Sequence, residues 1–175
     1  GSAKYNVLLI ESGPNRHQDD KTKKEISGWY GLLTNVDYDY DLIVKPQPGM
    51  AGRSLQYGRG NTLGGSSAIN AMMWVVGHAD DYDQWADKHG AGEGWSWRAL
   101  QPHFHSLETY ADGPATRGRT GGISVTQVSQ GAPEHAAFIQ AVHSTVNVPV
   151  SIDYNSGDNE GVALTQQSVT ADRER

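Results

Sequence analysis

Gly58–Trp74, GRGNTLGGSSAINAMMW, decides how this chain is read. Four glycines and a Ser-Ser pair stand directly before an apolar run. Backbone so bare of side chains serves one of two purposes: a tight turn on which a neighbour packs closely, or a cradle of amides for an anionic ligand. Gly60 and Gly65 have the spacing of a nucleotide phosphate loop, but Ser66 stands where that loop needs a lysine, which argues against a nucleotide triphosphatase. In the cradle reading, Gly64 and Gly65 admit a pyrophosphate and Ser66 and Ser67 supply hydroxyls and amides. A helix starting at Ser66 then turns its positive end towards the charge. Arg59 can add a charge-assisted contact. On these residues alone the structural turn and the cradle both stand.

Upstream, YNVLLIESGP holds a short apolar run, Val7 to Ile10, followed by Glu11 and a Ser-Gly-Pro turn. The pattern predicts a buried parallel strand whose carboxyl end carries a functional acid. A carboxylate there is the group that accepts hydrogen bonds from an adenosine ribose; its alternative is an exposed acid at a strand end. Asn15 to Glu25 reads as a polar surface loop. Ile26 to Asp41 has no firm assignment, and KPQPGMAGR is extended and turn-rich.

Downstream, punctuation predicts three helices. Asp80 caps one with Tyr82 and Trp85 on a single face, stopped by Gly90. Ser96 caps one running to about Glu108 that Pro102 should kink or shorten, and Pro133 opens one over HAAFIQAVH. GGISVTQV alternates as a half-buried strand should, and GVALTQQSVT reads as a strand before a charged cluster. There is no internal repeat. These segments predict a mixed α/β architecture that passes from one domain into another near residues 145 to 160.

The 175 residues carry a net charge of -6 and no cysteine. The acidic balance and the lack of a Lys/Arg stripe argue against nucleic acid or an anionic membrane surface as partner. Disulfides and Cys-ligated metals are excluded, and no apolar run reaches the roughly 18 residues of a membrane helix. His103 and His105 suggest a metal pair, but an i, i+2 spacing puts them on different faces of a helix. Asp80, Asp81 and Asp83 read as an acidic helix start rather than a metal site. No metal is expected, and no histidine here receives a catalytic role.

The two motifs together resemble the glucose-methanol-choline (GMC) flavin oxidoreductases. GNTLGGSSAINAMMWVVGHADDYD, residues 60 to 83, is similar throughout to that family's first signature, with Asn61, Gly64, Gly65, Ser66, Ser67, Asn70, Trp74, Gly77 and Asp83 at its spacings. NVLLIESGP resembles the second strand of the family's FAD domain, and DYDLIVKPQP the segment before the signature. The stretch from Asp80 to Glu108 resembles the helices after it, and EGVALTQQSVTADRER the entry to the substrate domain.

The resemblance implies a Rossmann-like FAD-binding portion over residues 1–145, leading into an antiparallel-sheet substrate domain that starts over 146–175. It implies oxidation of an alcohol CH-OH group by hydride transfer to FAD, with oxygen or another compound as electron acceptor. By resemblance Glu11 sits on the adenosine side, and Gly64, Gly65, Ser66, Asn70, Ala71, Met72 and Met73 approach the flavin. Some members bear at the place of Ile69 a histidine covalently tied to the flavin; isoleucine cannot form that bond, so FAD is expected to be non-covalent.

The family's Gly-x-Gly-x-x-Gly turn precedes the strand ending at Glu11, and its catalytic histidine lies far beyond the signature. Neither element occurs in these residues, so the chain is expected to be an N-terminal-region fragment, inactive alone and paired with the remaining part of the same enzyme. A relative with lyase or photodecarboxylase chemistry is the alternative, as is an inactive FAD-binding piece. The run from Val7 to Ile10 would then leave an uncovered sheet edge prone to aggregation.

Overall fold

A computed structural model describes residues 5–16, 29–33, 35–127 and 132–174. The expected mixture of helices and strands is what it contains, in two compact units divided between Met72 and Met73, with Arg173–Arg175 assigned to the first.

The first unit is mostly loop. A single helical turn, α1 (Trp29–Leu32), stands in the unassigned stretch. A hairpin missed in the sequence follows, β1 (Leu42–Val44) pairing antiparallel with β2 (Leu55–Tyr57) and Ile43 opposite Gln56. Pro48–Met50 forms a 3-10 turn inside the hairpin loop, ended by Ala51 in the left-handed region. The core is small: Leu32, Tyr38 and Ile69 are buried, with Leu33 and Ala68 packed against them. Full burial of a side chain such as Ile69 contributes about 1.5–3 kcal/mol.

Two expectations fail here. Val7, Leu8, Leu9 and Ile10 are 72–84% exposed and form no strand. An apolar run is buried only where something covers it, and among the described residues no strand lies beside this one. The helix expected from Ser66 is also absent. Gly65–Ala68 makes one 3-10 turn and stops. The cause is local competition: Ser67 Oγ donates to the Gly64 carbonyl, and Asn70 Oδ1 accepts from the Met72 amide, so side chains take over groups a helix would use. The loop expected over Asn15–Glu25 lies, beyond Arg16, outside the described residues.

The second unit has the three expected helices, α2 (Ala79–Asp87), α3 (Trp97–Leu107) and α4 (Pro133–Val146). The cap of α2 is His78 rather than Asp80: its Nδ1 accepts from the Asp80 amide, leaving Asp80 and Asp81 in the first turn, where the dipole favours them. Ser96 caps α3 through the Ala99 amide, and Asp83 of α2 accepts from the Trp97 amide at 2.8 Å. The α3 helix runs through Pro102, which stands exposed. Tyr82 joins α2 to α3 by ring contacts with Trp97 and Phe104, both at 5.6 Å. Pro133 opens α4 and Asn147, at φ 57°, ends it.

The strands are shorter than the alternating patterns suggested. The GGISVTQV stretch splits at Val125, which is buried. On one side β4 (Ile123–Ser124) pairs parallel with β3 (Glu108–Thr109); on the other β5 (Thr126–Gln127) pairs antiparallel with β6 (Gln166–Gln167). The strand expected over GVALTQQSVT is reduced to β6.

Candidate functional site

The glycine motif in the first unit is a closely packed backbone knot. A Cβ on Gly60 would lie 2.3 Å from the Gly65 carbonyl oxygen, so only glycine admits this approach. The Gly60 amide donates to Ser66 Oγ at 3.2 Å and the Gly65 amide to the Thr62 carbonyl at 2.7 Å. Gly64 and Gly65 take φ values of 91° and 57°, and no atom lies within 4 Å of where a Gly65 Cβ would be. The knot is tight on one side and open on the other.

The Glu11 motif meets this knot. Gly13 packs so closely on the backbone of Asn61 and Thr62 that a Cβ would fall 2.3 Å from the Asn61 carbonyl carbon. Thr62 Oγ1 and the Leu63 amide both donate to the Pro14 carbonyl, and the Gly13 amide donates to Glu11 Oε1 at 2.8 Å. Two segments about fifty residues apart therefore share one surface, with the Glu11 carboxylate at its exposed margin. Asn61 Oδ1, on the same backbone, is buried and accepts no hydrogen bond.

The other expected contacts divide by exposure. Ser66 and Asn70 are exposed and Ala71 is half-buried. Met72 is 1% exposed, backbone and side chain alike, and takes a left-handed φ of 61°. Met73, the first residue of the second unit, presents a side chain 60% exposed. Ile69 is in the core. Arg59 stacks on the Tyr57 ring, 3.9 Å from its centroid. Among the described residues no group of three or more His, Cys, Asp or Glu side chains is placed to hold a metal ion.

A buried polar network in the second unit had no signal in the sequence. Arg117, 4% exposed, donates to both carboxylate oxygens of Glu108 at 2.7 and 2.5 Å, and to Asp153 Oδ1 and Gln166 Oε1 at 2.7 and 2.9 Å. Glu108 also accepts from the Gly118 amide and Trp74 Nε1. Burial alone would push the Glu108 carboxyl up, but its hydrogen bonds from Arg117 and Gly118, with the guanidinium charge, hold it below the usual carboxylate range. Burial likewise works against the Arg117 charge, and Glu108 and Asp153 together outweigh it. Asp153 Oδ2 is buried without a partner.

The GMC oxidoreductase family profile matches residues 21–175. The chain belongs to the GMC oxidoreductase family. The oxygen-dependent choline dehydrogenase of Brucella anthropi is 35% identical over 168 residues, covering 95% of this chain and 30% of the relative. The crystal structure of pyridoxine 4-oxidase from Mesorbium loti superposes with a TM-score of 0.83 at 30% identity, over 94% of this chain and 32% of that one. An FAD-dependent oxidoreductase from Chaetomium thermophilum gives a TM-score of 0.81 at 27% identity, over 96% and 30%. This GMC chain thus spans about 30% of the length of the curated relative it matches.

Proposed function

We propose that this chain supplies the flavin-holding part of a GMC alcohol oxidase or dehydrogenase and binds FAD without a covalent bond. The observation that carries the reading is the convergence of the Glu11 turn and the glycine knot on one surface, with a buried Asn61 Oδ1 lacking a donor there. A dinucleotide brings hydroxyl donors and a pyrophosphate, which are the groups such a surface accommodates.

The 3-10 turn has no extended helix dipole to offer, so the cradle acts through close backbone approach at Gly64 and Gly65 and through the exposed Ser66 hydroxyl. Glu11 accepts from the ribose, and Asn70, Ala71, Met72 and Met73 are the residues of the motif that this reading assigns to the flavin. Ile69 has no nucleophilic nitrogen and lies in the core, which supports non-covalent binding. When bound, FAD supplies the acceptor for hydride from the alcohol carbon. None of the residues described here is assigned the proton abstraction. On this reading residues 1–145 belong to the FAD-binding portion and 146–175 open the substrate-binding domain, while the alcohol pocket and the electron acceptor are properties of the whole protein.

The test is the visible spectrum of the full-length protein purified without added cofactor. A flavin band released into the supernatant by mild denaturation supports the reading. A colourless protein that takes up no FAD on reconstitution refutes it, and a flavin that precipitates with the denatured chain refutes the non-covalent bond.

A further inference from the structure

Within the first unit, the Glu11 turn and the glycine knot are joined a second time, through the strap Tyr38–Tyr40. The strap lies antiparallel to Arg59–Asn61, the entry to the knot. The Tyr40 amide donates to the Arg59 carbonyl at 2.9 Å, the Asn61 amide donates to the Tyr38 carbonyl at 2.8 Å, and Asp39 bridges Gly60. The Asp39 carboxylate, in a residue 3% exposed, locks this pairing: its Oδ2 accepts from the Arg59 amide and its Oδ1 from the Asp41 amide, each at 2.7 Å. Both oxygens of the buried acid are satisfied by main-chain donors, and one of those donors belongs to the knot.

The strap also reaches the Glu11 turn. Tyr40 Oη and Ser12 Oγ share a hydrogen bond across 28 positions of sequence. Ser12 stands between Glu11 and Gly13, and Gly13 and Pro14 are seated on Asn61, Thr62 and Leu63. The Glu11 carboxylate closes a two-residue loop onto the Gly13 amide at 2.8 Å, so where Ser12 goes, Glu11 follows. Tyr40 is 47% exposed and lies outside the core, so its part is its backbone on the knot and its hydroxyl on the turn. We infer that Tyr40 is a positioning residue: carried on a strap that Asp39 fixes to the knot, it holds Ser12 and so sets where the Glu11 carboxylate stands relative to Gly64 and Gly65. That spacing is the reach between the ribose and the pyrophosphate of a bound dinucleotide. The inference rests on the flavin reading above, and every residue in it lies in the first unit.

The test uses the full-length protein, stripped of flavin and titrated with FAD. Tyr40→Phe keeps the ring and removes the hydroxyl that meets Ser12. Glu11→Ala removes the carboxylate at an exposed position and leaves the core intact. Tyr30→Phe takes a hydroxyl from a residue of α1 that is 70% exposed and serves as the control for loss of a surface hydroxyl. The dissociation constant for FAD is measured beside Tm for the parent, the three single variants and the Y40F/E11A double variant.

The expected result is an FAD dissociation constant raised about fivefold in Tyr40→Phe, within the range of one net hydrogen bond, and unchanged in Tyr30→Phe. Because Tyr40 acts through Glu11, the Tyr40→Phe factor should shrink below about twofold once Glu11 is alanine, whereas independent sites would multiply in full. Parent affinity in Tyr40→Phe, with or without a fall in Tm, leaves the hydroxyl a merely structural role and overturns the inference. So does the full single-variant factor in the double variant, an unmoved constant in Glu11→Ala, or an equal rise in Tyr30→Phe; in each of these cases flavin binding itself stands. A parent protein that takes up no FAD overturns the flavin reading and this inference with it.

Discussion

Replacing Arg117 by methionine removes the guanidinium that faces both acids while leaving Glu108 at 1% and Asp153 at 8% exposure. Each acid keeps other donors. Glu108 retains the Gly118 amide and Trp74 Nε1, and Asp153 Oδ1 retains the Asn155 amide and Gln166 Nε2. The penalty is therefore chiefly that of buried uncompensated charge, about 3–5 kcal/mol for breaking such a pair. For a unit of the size of Met73–Asp172, at ~4–8 °C per kcal/mol, that corresponds to a fall in Tm of roughly 12–40 °C. The triple variant R117M/E108Q/D153N retains acceptor oxygens without charge and is expected to recover about half of the loss. The sign with pH follows: without the guanidinium, the burial that pushes the Glu108 carboxyl up is less opposed, so the penalty shrinks below the unfolded carboxyl value and reaches its full size as pH rises through the folded one. Thermal melts of parent, single and triple variants at pH 4 and 7 measure all of this. A loss under about 1 kcal/mol for Arg117→Met, the range of a solvated surface pair, or a triple variant no better than the single, would refute the reasoning.

Gly60→Ala drives a Cβ to 2.3 Å from the Gly65 carbonyl and should destabilise the first unit by more than about 2 kcal/mol, with loss of bound FAD in the same titration. Gly65→Ala meets open space and costs only the left-handed backbone, about 1–2 kcal/mol, so its melt should fall by less than that of Gly60→Ala while FAD affinity falls. Ile69→Ala should cost about 2–5 kcal/mol by chemical denaturation, because the side chain is in the core. In the parent protein Glu108, held low by Arg117, contributes stability that is fully present above the unfolded carboxyl value and lost as pH falls through the folded one; an acid titration in Glu108→Gln should lack that component.

The glycine knot was legible because its residues are consecutive: spacing alone marks Gly60, Gly64, Gly65 and Ser66 as a place of close backbone approach. Helices α2, α3 and α4 were legible for the same reason, since caps and stops are local. What sequence pattern could not give was anything decided at a distance. Val7 to Ile10 read as buried, yet burial depends on a covering layer. Ser66 to Met73, read as a helix, is a miss of another kind, because there the Ser67 and Asn70 side chains drew the backbone into turns through bonds only three and two residues long. The network around Arg117 was invisible because its partners lie 9, 36 and 49 residues away and no local period links them.

Those separations also set an order of events during synthesis. Trp74 leaves the ribosome well before Tyr154 and Asn155, which are 80 and 81 residues later. At about 5–20 residues per second that is an interval of roughly 4–16 s. Throughout it the peptide groups of Trp74 have none of their final partners from β6 or the 153–155 loop, and the ion pair of Glu108 with Arg117 must wait for Asp153 to gain the second acid. The nascent second unit therefore completes this network late, when the last stretch to Gln166 arrives.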